Sequence, residues 1–517
     1  MKIVTAAQMT AIEQASEKAG VSTGVLMENA GLAVAVAARD LLGGAAGRRI
    51  LTLVGPGNNG ADGLVAARHL RRWGAEVTCF VVSGRPDPDP KMDLALEYGV
   101  RVIGAAEAGE LGRLLARSAL VIDAVLGTGR ARPLEGPVKE TMLSLARARS
   151  AASPPNLLAL DLPTGLNADT GEVDPSGVPC DITLALGYPK AGLLNFPGTE
   201  HAGELRVLDI GVPPNLPEET EIDLELLDRR WVADRLPQRP LNSHKGTFGH
   251  VLVIAGSRNY VGAAYLASQA AVRSGAGLTT LASPESVYPI AAAKSTEPIH
   301  LPLPEDSEGR VNLQAAEVIF NGSRRYSNIL VGCGLGLSDG VTKFVEALLF
   351  NNANRGVPVL VDADGLNNLA RIYGWPERVQ GPITLTPHPG EMATLTGLSN
   401  AEVQQNRVAV AREYAAKWNV CLTLKGANTV IAQPDGMVRV APFANPGMAT
   451  GGTGDVLSGI IAGLAAQGLS PSEAACCGVY IHGEAGRQMV SRLGSAGTAA
   501  SDLLLEIPVA IRRTKVG

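Results

Sequence analysis

No stretch of the 517-residue chain offers the ~20 consecutive apolar residues of a membrane-spanning helix. A membrane partner is therefore not expected. The chain starts MKIVTAAQMTAIEQASEK, where Glu13 and Glu17 interrupt any signal-peptide core, so a cytoplasmic location is expected. Long Lys/Arg runs are missing too: 45 basic against 50 acidic side chains give a formal charge of -5. Without a concentrated positive field, nucleic acid is not an expected partner, and small molecules are. The six cysteines show no CxxC spacing, which argues against zinc and a disulfide framework and for buried free thiols. Nor is there a G-x-x-x-x-G-K-[ST] run, which excludes a P-loop NTPase. Fixed-period repeats are absent, and a hydrophobic content of 46% excludes disorder as the main theme.

What is present is apolar runs separated by helical stretches. Thr5 to Gln8 forms a capping-box pattern before a helix ending near Gly20, and a second helix is expected over about 26–42. Short apolar runs follow at 50–54, 77–82, 119–126, 157–163 and 181–187. Continuous apolar runs of this kind indicate parallel strands buried on both faces, hence a doubly wound α/β domain. A second series lies at 250–256, 277–283, 328–334, 357–365, 383–391, 421–426 and 429–436, closing with helices from Asp455 onward. Between the two series the chain turns rich in Pro and Glu. The expected organisation is two doubly wound α/β domains, 1–215 and 240–517, joined by a linker over 216–239.

In the first domain V-G-P-G-N-N-G-A-D-G (54–63) follows a strand and opens a helix, with Gly55, Gly57 and Gly60 spaced as G-x-G-x-x-G. Backbone N–H groups at such a helix start favour an anion. The second strand ends Ser83-Gly84-Arg85 rather than in an acid, so ordinary dinucleotide redox binding is not expected. Asp123 and Asp161 each end a buried run, which places them with Asn58 and Asn59 at one crevice beyond the strand ends. Asn and Thr oxygens beside Asp123 suit a monovalent or hard cation; helix capping is the alternative reading of each aspartate. Asp161 is the candidate general acid/base, and Lys190 reads either as a second candidate or as a solvated surface lysine.

LMENAG (26–31), VGPGNNGADG, DAVLGTG (123–129), DLPTGLNADTG (161–171) and LGYPKAGL (186–193) together resemble the YjeF N-terminal, NAD(P)H-hydrate epimerase family, over nearly all of 1–215. The resemblance implies a Rossmann-like domain that epimerises the C6 hydroxyl of hydrated NADH and NADPH with a potassium ion in the crevice. By position, Asn59, Asp123 and Thr164 would bind K⁺. Asn58, Asn59, Gly60, Ala61 and Asp62, then Gly127, Thr128, Gly129, Arg130, Ala131, Arg132 and Pro133, and Asp161 would contact the hydrate.

The second domain carries N-P-G-M-A-T-G-G-T-G-D-V-L-S-G (445–459). Glycines there let the backbone approach a ligand, and Asp455 starts an apolar helix whose positive end faces the same point. Phosphoryl transfer needs positioning, charge neutralisation and a base for the acceptor hydroxyl, and Asp455 fits that base. Asp362, Asp364 and Asn367 are candidates to place Mg²⁺, while His388, Glu391 and Lys425 lie at other strand ends. His388 has the alternative of a turn hydrogen bond, and Lys425 that of snorkelling to solvent.

GSRNYVGAAYLASQAAVRSGAGL (256–278), DADGLN (362–367), TPHPGE (386–391), KGANTVI (425–431) and the 445–459 run resemble the ribokinase-like superfamily, specifically its ADP-dependent NAD(P)H-hydrate dehydratase domain, over about 240–511. VGCGLG (331–336) departs from that family's usual Pro at Cys333. The resemblance implies that Ala263, Gly334, His388 and Asp455 contact the hydrated nucleotide, and that Lys425, Gly426, Ala427, Asn428, Thr429 and Gly454 contact ADP or AMP. The implied reaction phosphorylates the C6 hydroxyl of the S epimer with ADP and Mg²⁺, eliminates phosphate and releases AMP. Together the halves would repair NADHX and NADPHX of both configurations, in a protein expected to be a homo-oligomer. The alternative is a ribokinase-like vitamin kinase with an N-terminal nucleotide-binding module, since fold does not fix function.

Overall fold

The computed structural model describes residues 1–129, 133–321, 326–350 and 356–516. It divides into two compact units, Met1–Leu224 and Glu225–Gly517. No single helix among the described residues is long and apolar enough to cross a membrane.

The first unit opens with the helix Ala6–Lys18, capped as its sequence indicates: Thr5 Oγ1 accepts from Gln8 N at 3.2 Å and Gln8 Oε1 accepts from Thr5 N at 2.9 Å. Its sheet contains β1 (Arg49–Val54), β2 (Glu76–Val81), β3 (Arg101–Gly104), β4 (Leu120–Ala124), β5 (Asn156–Leu160), β6 (Ile182–Leu186) and β7 (Glu204–Leu208) in the order β3-β2-β1-β4-β5-β6-β7. Every pairing is parallel. Apolar clusters cover both faces, one around Val34, Leu64 and Leu158 and the other around Phe80, Leu115 and Leu145. This burial explains why β4 and β6 are apolar at nearly every position. The order reverses direction at β1/β4, so the loops after those strands open the crevice where α/β sheets take ligands.

The second unit has ten strands: β8 (Leu224–Leu226), β9 (His250–Ile254), β10 (Leu278–Pro284), β11 (Ile299–Leu303), β12 (Asn328–Val331), β13 (Val359–Val361), β14 (Ile383–Leu385), β15 (Cys421–Leu424), β16 (Val430–Ala432) and β17 (Val438–Val440). They run β11-β10-β9-β12-β13-β14-β15-β16-β17-β8. β9 to β15 are parallel, and β15, β16 and β17 form an antiparallel meander. The helices Val261–Arg273, Thr453–Ala466 and Pro471–Leu493 pack over one core, lined with Ala and Gly where they meet most closely.

The Pro/Glu-rich stretch expected to be a bare linker carries a helix at Pro217–Thr220, the strand β8 and a helix at Arg229–Arg235. Its Leu227, Val232 and Leu236 are buried in the core of the second unit, each stabilising by roughly 1.5–3 kcal/mol relative to exposure. Spacing explains the misreading: three apolar residues scattered among charges anchor a segment whose average composition looks solvated. All six cysteines are buried and free.

Candidate active sites

In the first unit the loop after β1 must pass against the loop after β4. A Cβ on Gly55 would lie 1.7 Å from the Val125 carbonyl oxygen, so only glycine permits this approach. The helix Asn58–Arg72 begins after Gly57, which contributes no side-chain cap and leaves the first N–H groups available. Arg85 explains the missing strand-end acid. Its guanidinium donates to the carbonyls of Gly55 (2.8 Å) and Gly57 (3.0 Å) and pairs with Asp89 at 2.7 Å, clamping the glycine turn.

Asp123, fully buried at the end of β4, accepts from Thr164 N (2.8 Å), Thr164 Oγ1 (2.7 Å) and Val125 N (3.2 Å). Burial raises its carboxyl above the ordinary range, against the lowering by these Thr164 and Val125 bonds. No cationic side chain pairs with it among the described residues. Asn59 lies against Gly127, whose Cβ would come within 3.3 Å of its Cγ, and the buried Asn59 Nδ2 has no hydrogen-bond partner among the described residues. Thr164 Oγ1 in turn accepts from Leu126 N at 3.1 Å. Asn59 beside Gly127, and the Asp123–Thr164 pair that holds Leu126, thus flank the loop after β4 with oxygen donors and one negative charge that no described cation balances, a set that fits a weakly hydrated monovalent cation.

Asp161 ends β5 with φ +67, a left-handed backbone that Asp tolerates better than most residues. Its Oδ1 accepts from Leu186 N at 3.0 Å and from the ammonium of Lys190 in an ion pair. Lys190 is fully buried and also donates to Leu186 O at 3.1 Å. The surface reading of Lys190 is therefore wrong. The backbone of Val4 bridges to Lys190, with Val4 N donating to Pro189 O at 3.0 Å, which ties the N-terminal segment to this stretch. A cavity of about 660 Å³ opens beside Gly127, Gly129, Pro133, Pro163 and Gly165. Asn58, Gly60, Ala61 and Asp62 occupy the first turn and a half of the helix after β1. Thr128 lies with Gly127 and Gly129 in the loop after β4, and Arg130, Ala131 and Arg132 lie outside the described residues.

In the second unit the ends of β12, β13, β14 and β15 converge with the start of Thr453–Ala466. Lys425 Nζ stands 2.5 Å from Asp362 Oδ1 and 3.6 Å from Glu391 Oε2. Ser458 donates to Asp362 Oδ2 at 2.6 Å, and the Cys333 thiol lies 4.0 Å from the same oxygen. Asp362 therefore has its charge and both oxygens engaged. Asp455, in the first helical turn, is pushed up to about 6 by burial and then by Asp362, with Cys333 and Lys425 opposing. The helix N-cap is Gly452 at φ +92, without a side chain to occupy the N–H groups, and the space beside Gly451 is open. A Cβ on Gly454 would lie 3.7 Å from Lys425 Nζ, so the ammonium faces the helix start.

His388 does cap its helix: Nδ1 accepts from Gly390 N at 3.0 Å, while Glu391 accepts from His388 N at 2.6 Å. Its ring nonetheless stays 57% exposed, and burial raises the buried Glu391 beneath it. Gly334, at φ +66, lies against Ala263, whose Cβ a side chain at 334 would approach to 2.9 Å. In the β15–β16 turn Asn428 and Thr429 are buried, Thr429 Oγ1 donating to Gly426 O at 2.8 Å, while Gly426 and Ala427 are the more open positions. Asp364 accepts from Gly336 N at 2.8 Å and so clamps the loop after β12. Among the described residues no three His, Cys, Asp or Glu side chains group to hold a metal; Mg²⁺ fits here only as an ion carried largely by phosphate oxygens and water. His482 escaped sequence reasoning: its Nε2 lies 3.0 Å from Thr453 O and burial lowers it to about 4, so a neutral ring ties the helix Pro471–Leu493 to the anion-receiving end.

These features define a two-unit α/β enzyme with a Rossmann-like first half and a ribokinase-like second half. Residues 23–192 match the family model of the YjeF-related protein N-terminus, and residues 251–509 that of NAD(P)H-hydrate dehydratase. The chain belongs to the bifunctional NAD(P)H-hydrate repair enzyme family. It is 40% identical over 521 residues to the repair enzyme of Moorella thermoacetica, covering 99% of this chain and 97% of the relative. It is 38% identical to that of Thermofilum pendens, covering 99% and 96%. The ADP/ATP-dependent NAD(P)H-hydrate dehydratase of Bacillus subtilis, co-crystallised with ATP and Mg²⁺, matches with 32% identity and a TM-score of 0.50, over 56% of this chain and 98% of that one.

Proposed function

We propose that the first unit interconverts the R and S forms of NADHX and NADPHX, and that the second dehydrates the S form to NAD(P)H with ADP, giving AMP and phosphate. The observation that carries the reading is Asp455. A carboxyl raised to about 6 sits in the first turn of a helix whose N–H groups are uncapped and faced by Lys425. Asp455 accepts the proton of the C6 hydroxyl as it attacks phosphorus, the amides of 451–454 receive the transferring phosphoryl group, and Lys425 offsets its charge. Ala263, Gly334 and His388 border the hydrate, and the open edge of 425–429 borders the adenine nucleotide. Bound Mg²⁺ would neutralise phosphate charge, with Asp364, one of whose oxygens holds Gly336 N, as a candidate ligand through the other.

In the first unit Asn59, Asp123 and Thr164 would hold K⁺, which would supply the counter-charge that Asp123 lacks. Asn58 to Asp62 and Gly127 to Pro133 enclose the hydrate, and Asp161 moves the proton at the C6 hydroxyl. We read the enzyme as a cytoplasmic homo-oligomer.

The test is recovery of reduced-nicotinamide absorbance from mixed R and S hydrated NADH with Mg²⁺, K⁺ and ADP. Wild type is expected to recover all of it. Asp455→Asn is expected to recover none, and Asp161→Asn to stop after the S fraction. No recovery by wild type with ADP or ATP would refute the dehydratase assignment.

A further inference from the structure

The first site holds more acid than its one ion pair uses. Asp62, in the first turns of Asn58–Arg72, is 7% exposed, and its Oδ1 is buried without a hydrogen-bond partner among the described residues. Burial, then the charges of Asp161 and Glu13, hold its carboxyl well above the usual range, with Lys91 and Lys190 opposing. Glu13, half-buried on Ala6–Lys18, is also raised by burial; Asp161 adds to this and Lys190 opposes it. The surrounding cations are engaged elsewhere. Lys190 is paired with Asp161, Lys91 and Arg68 share Glu28, and Arg85 holds Asp89. Three ionised carboxylates around one committed ammonium would leave two uncompensated charges in a dry site, which is prohibitively costly. At least one proton stays, and Asp62 is its natural seat: it is as enclosed as Asp161, more so than Glu13, and unlike Asp161 has no ion-pair partner among the described residues.

Epimerisation at C6 needs both a group that takes a proton and one that gives one. We propose that Asp62 and Asp161 form an acid–base pair for this step, Asp62 as the proton donor to the ring nitrogen N1, with Glu13 positioning that proton. This rests on the epimerase reading above. The Asp161 carboxylate takes the C6 hydroxyl proton, and the oxygen electrons form C=O. The C6–N1 bond breaks with its electron pair going to N1, which takes the Asp62 proton. The open aldehyde turns about C5–C6 and recloses by the reverse transfers, restoring both carboxyls. Nothing is oxidised or reduced.

The experiment starts from S-hydrated NADH without ADP, using the full chain, and follows appearance of the R form by chromatography; ADP-dependent dehydration of the same preparations checks the fold. Asp62→Asn is expected to slow interconversion at least 100-fold, while S-hydrate affinity stays within twofold and dehydration is unchanged. The wild-type rate falls as pH rises and Asp62 loses its proton. Asp62→Glu keeps that alkaline limb, and Glu13→Gln moves it to lower pH because a like charge is gone. A wild-type rate in Asp62→Asn overturns the pair alone, as does a loss of hydrate affinity matching the loss of rate, or an unmoved limb in Glu13→Gln. No interconversion by wild type overturns the epimerase reading as well.

Discussion

Both units place their acids beyond the carboxyl ends of parallel strands, yet they balance charge in opposite ways. In the second, the buried Asp362 has its cation in the chain, Lys425 at 2.5 Å, and a hydroxyl donor in Ser458. In the first, Asp123 is just as buried and has only neutral donors, Thr164 and Val125. The lysine that is available there, Lys190, serves Asp161 instead. A site that carries its own counter-charge is complete when folded, whereas on the proposed reading the first is completed by an ion from solution, and its activity would follow the concentration of that ion.

The contrast can be broken most severely at Lys425. Lys425→Met leaves Asp362 buried and unpaired, which costs about 3–5 kcal/mol; calorimetry should show a lowered transition, and dehydration should be abolished. The next effect is specific to the first unit. Asp123→Asn removes the charge that calls for an outside cation, so epimerisation should fall ~10-fold or more and lose its response to K⁺, as assayed by interconversion in K⁺ against a bulky organic cation. Dehydration by the same variant should be unchanged. The smallest effect is a pH limb: as the proposed base, Asp455 must be ionised, so dehydration should fall as pH drops through about 6, while epimerisation should show no limb there of this origin. In stability the sign is opposite, since a carboxyl raised on folding favours the folded state at low pH and loses that contribution as pH rises through the folded value.

How much of this could be read from residues alone depended on burial. Interior strands such as β1, β4, β6, β9 and β12 are apolar runs because helices cover both faces, and the runs at 50–54, 119–126, 181–187, 250–256 and 328–334 mark them. The strands left unread, β3, β7, β8, β11 and β17, are short and carry polar residues among the apolar ones, as in Glu204–Leu208 with its Glu and Arg. Four of them, β3, β7, β8 and β11, are sheet edges, and β17 lies next to one, where one side meets solvent. Asp123, Asp161 and Asp455 were legible because each stands where a strand ends or a helix begins. Glu13 and His482 were not, nor was the burial of Lys190 against Asp161, because these depend on partners 29 or more residues away, beyond the reach of any local pattern.

The burial of Lys190 has a consequence for chemical labelling. Its ammonium is fully buried and held by Asp161 and the Leu186 carbonyl, so a lysine-acylating reagent reaches it only when that ion pair opens and the amine loses its proton. Among the chain's lysines it would react late and in step with the parting of Lys190 from Asp161, so modification at this one position, read by mass spectrometry, is a clock for how often the epimerase site comes undone while the rest of the molecule stays folded.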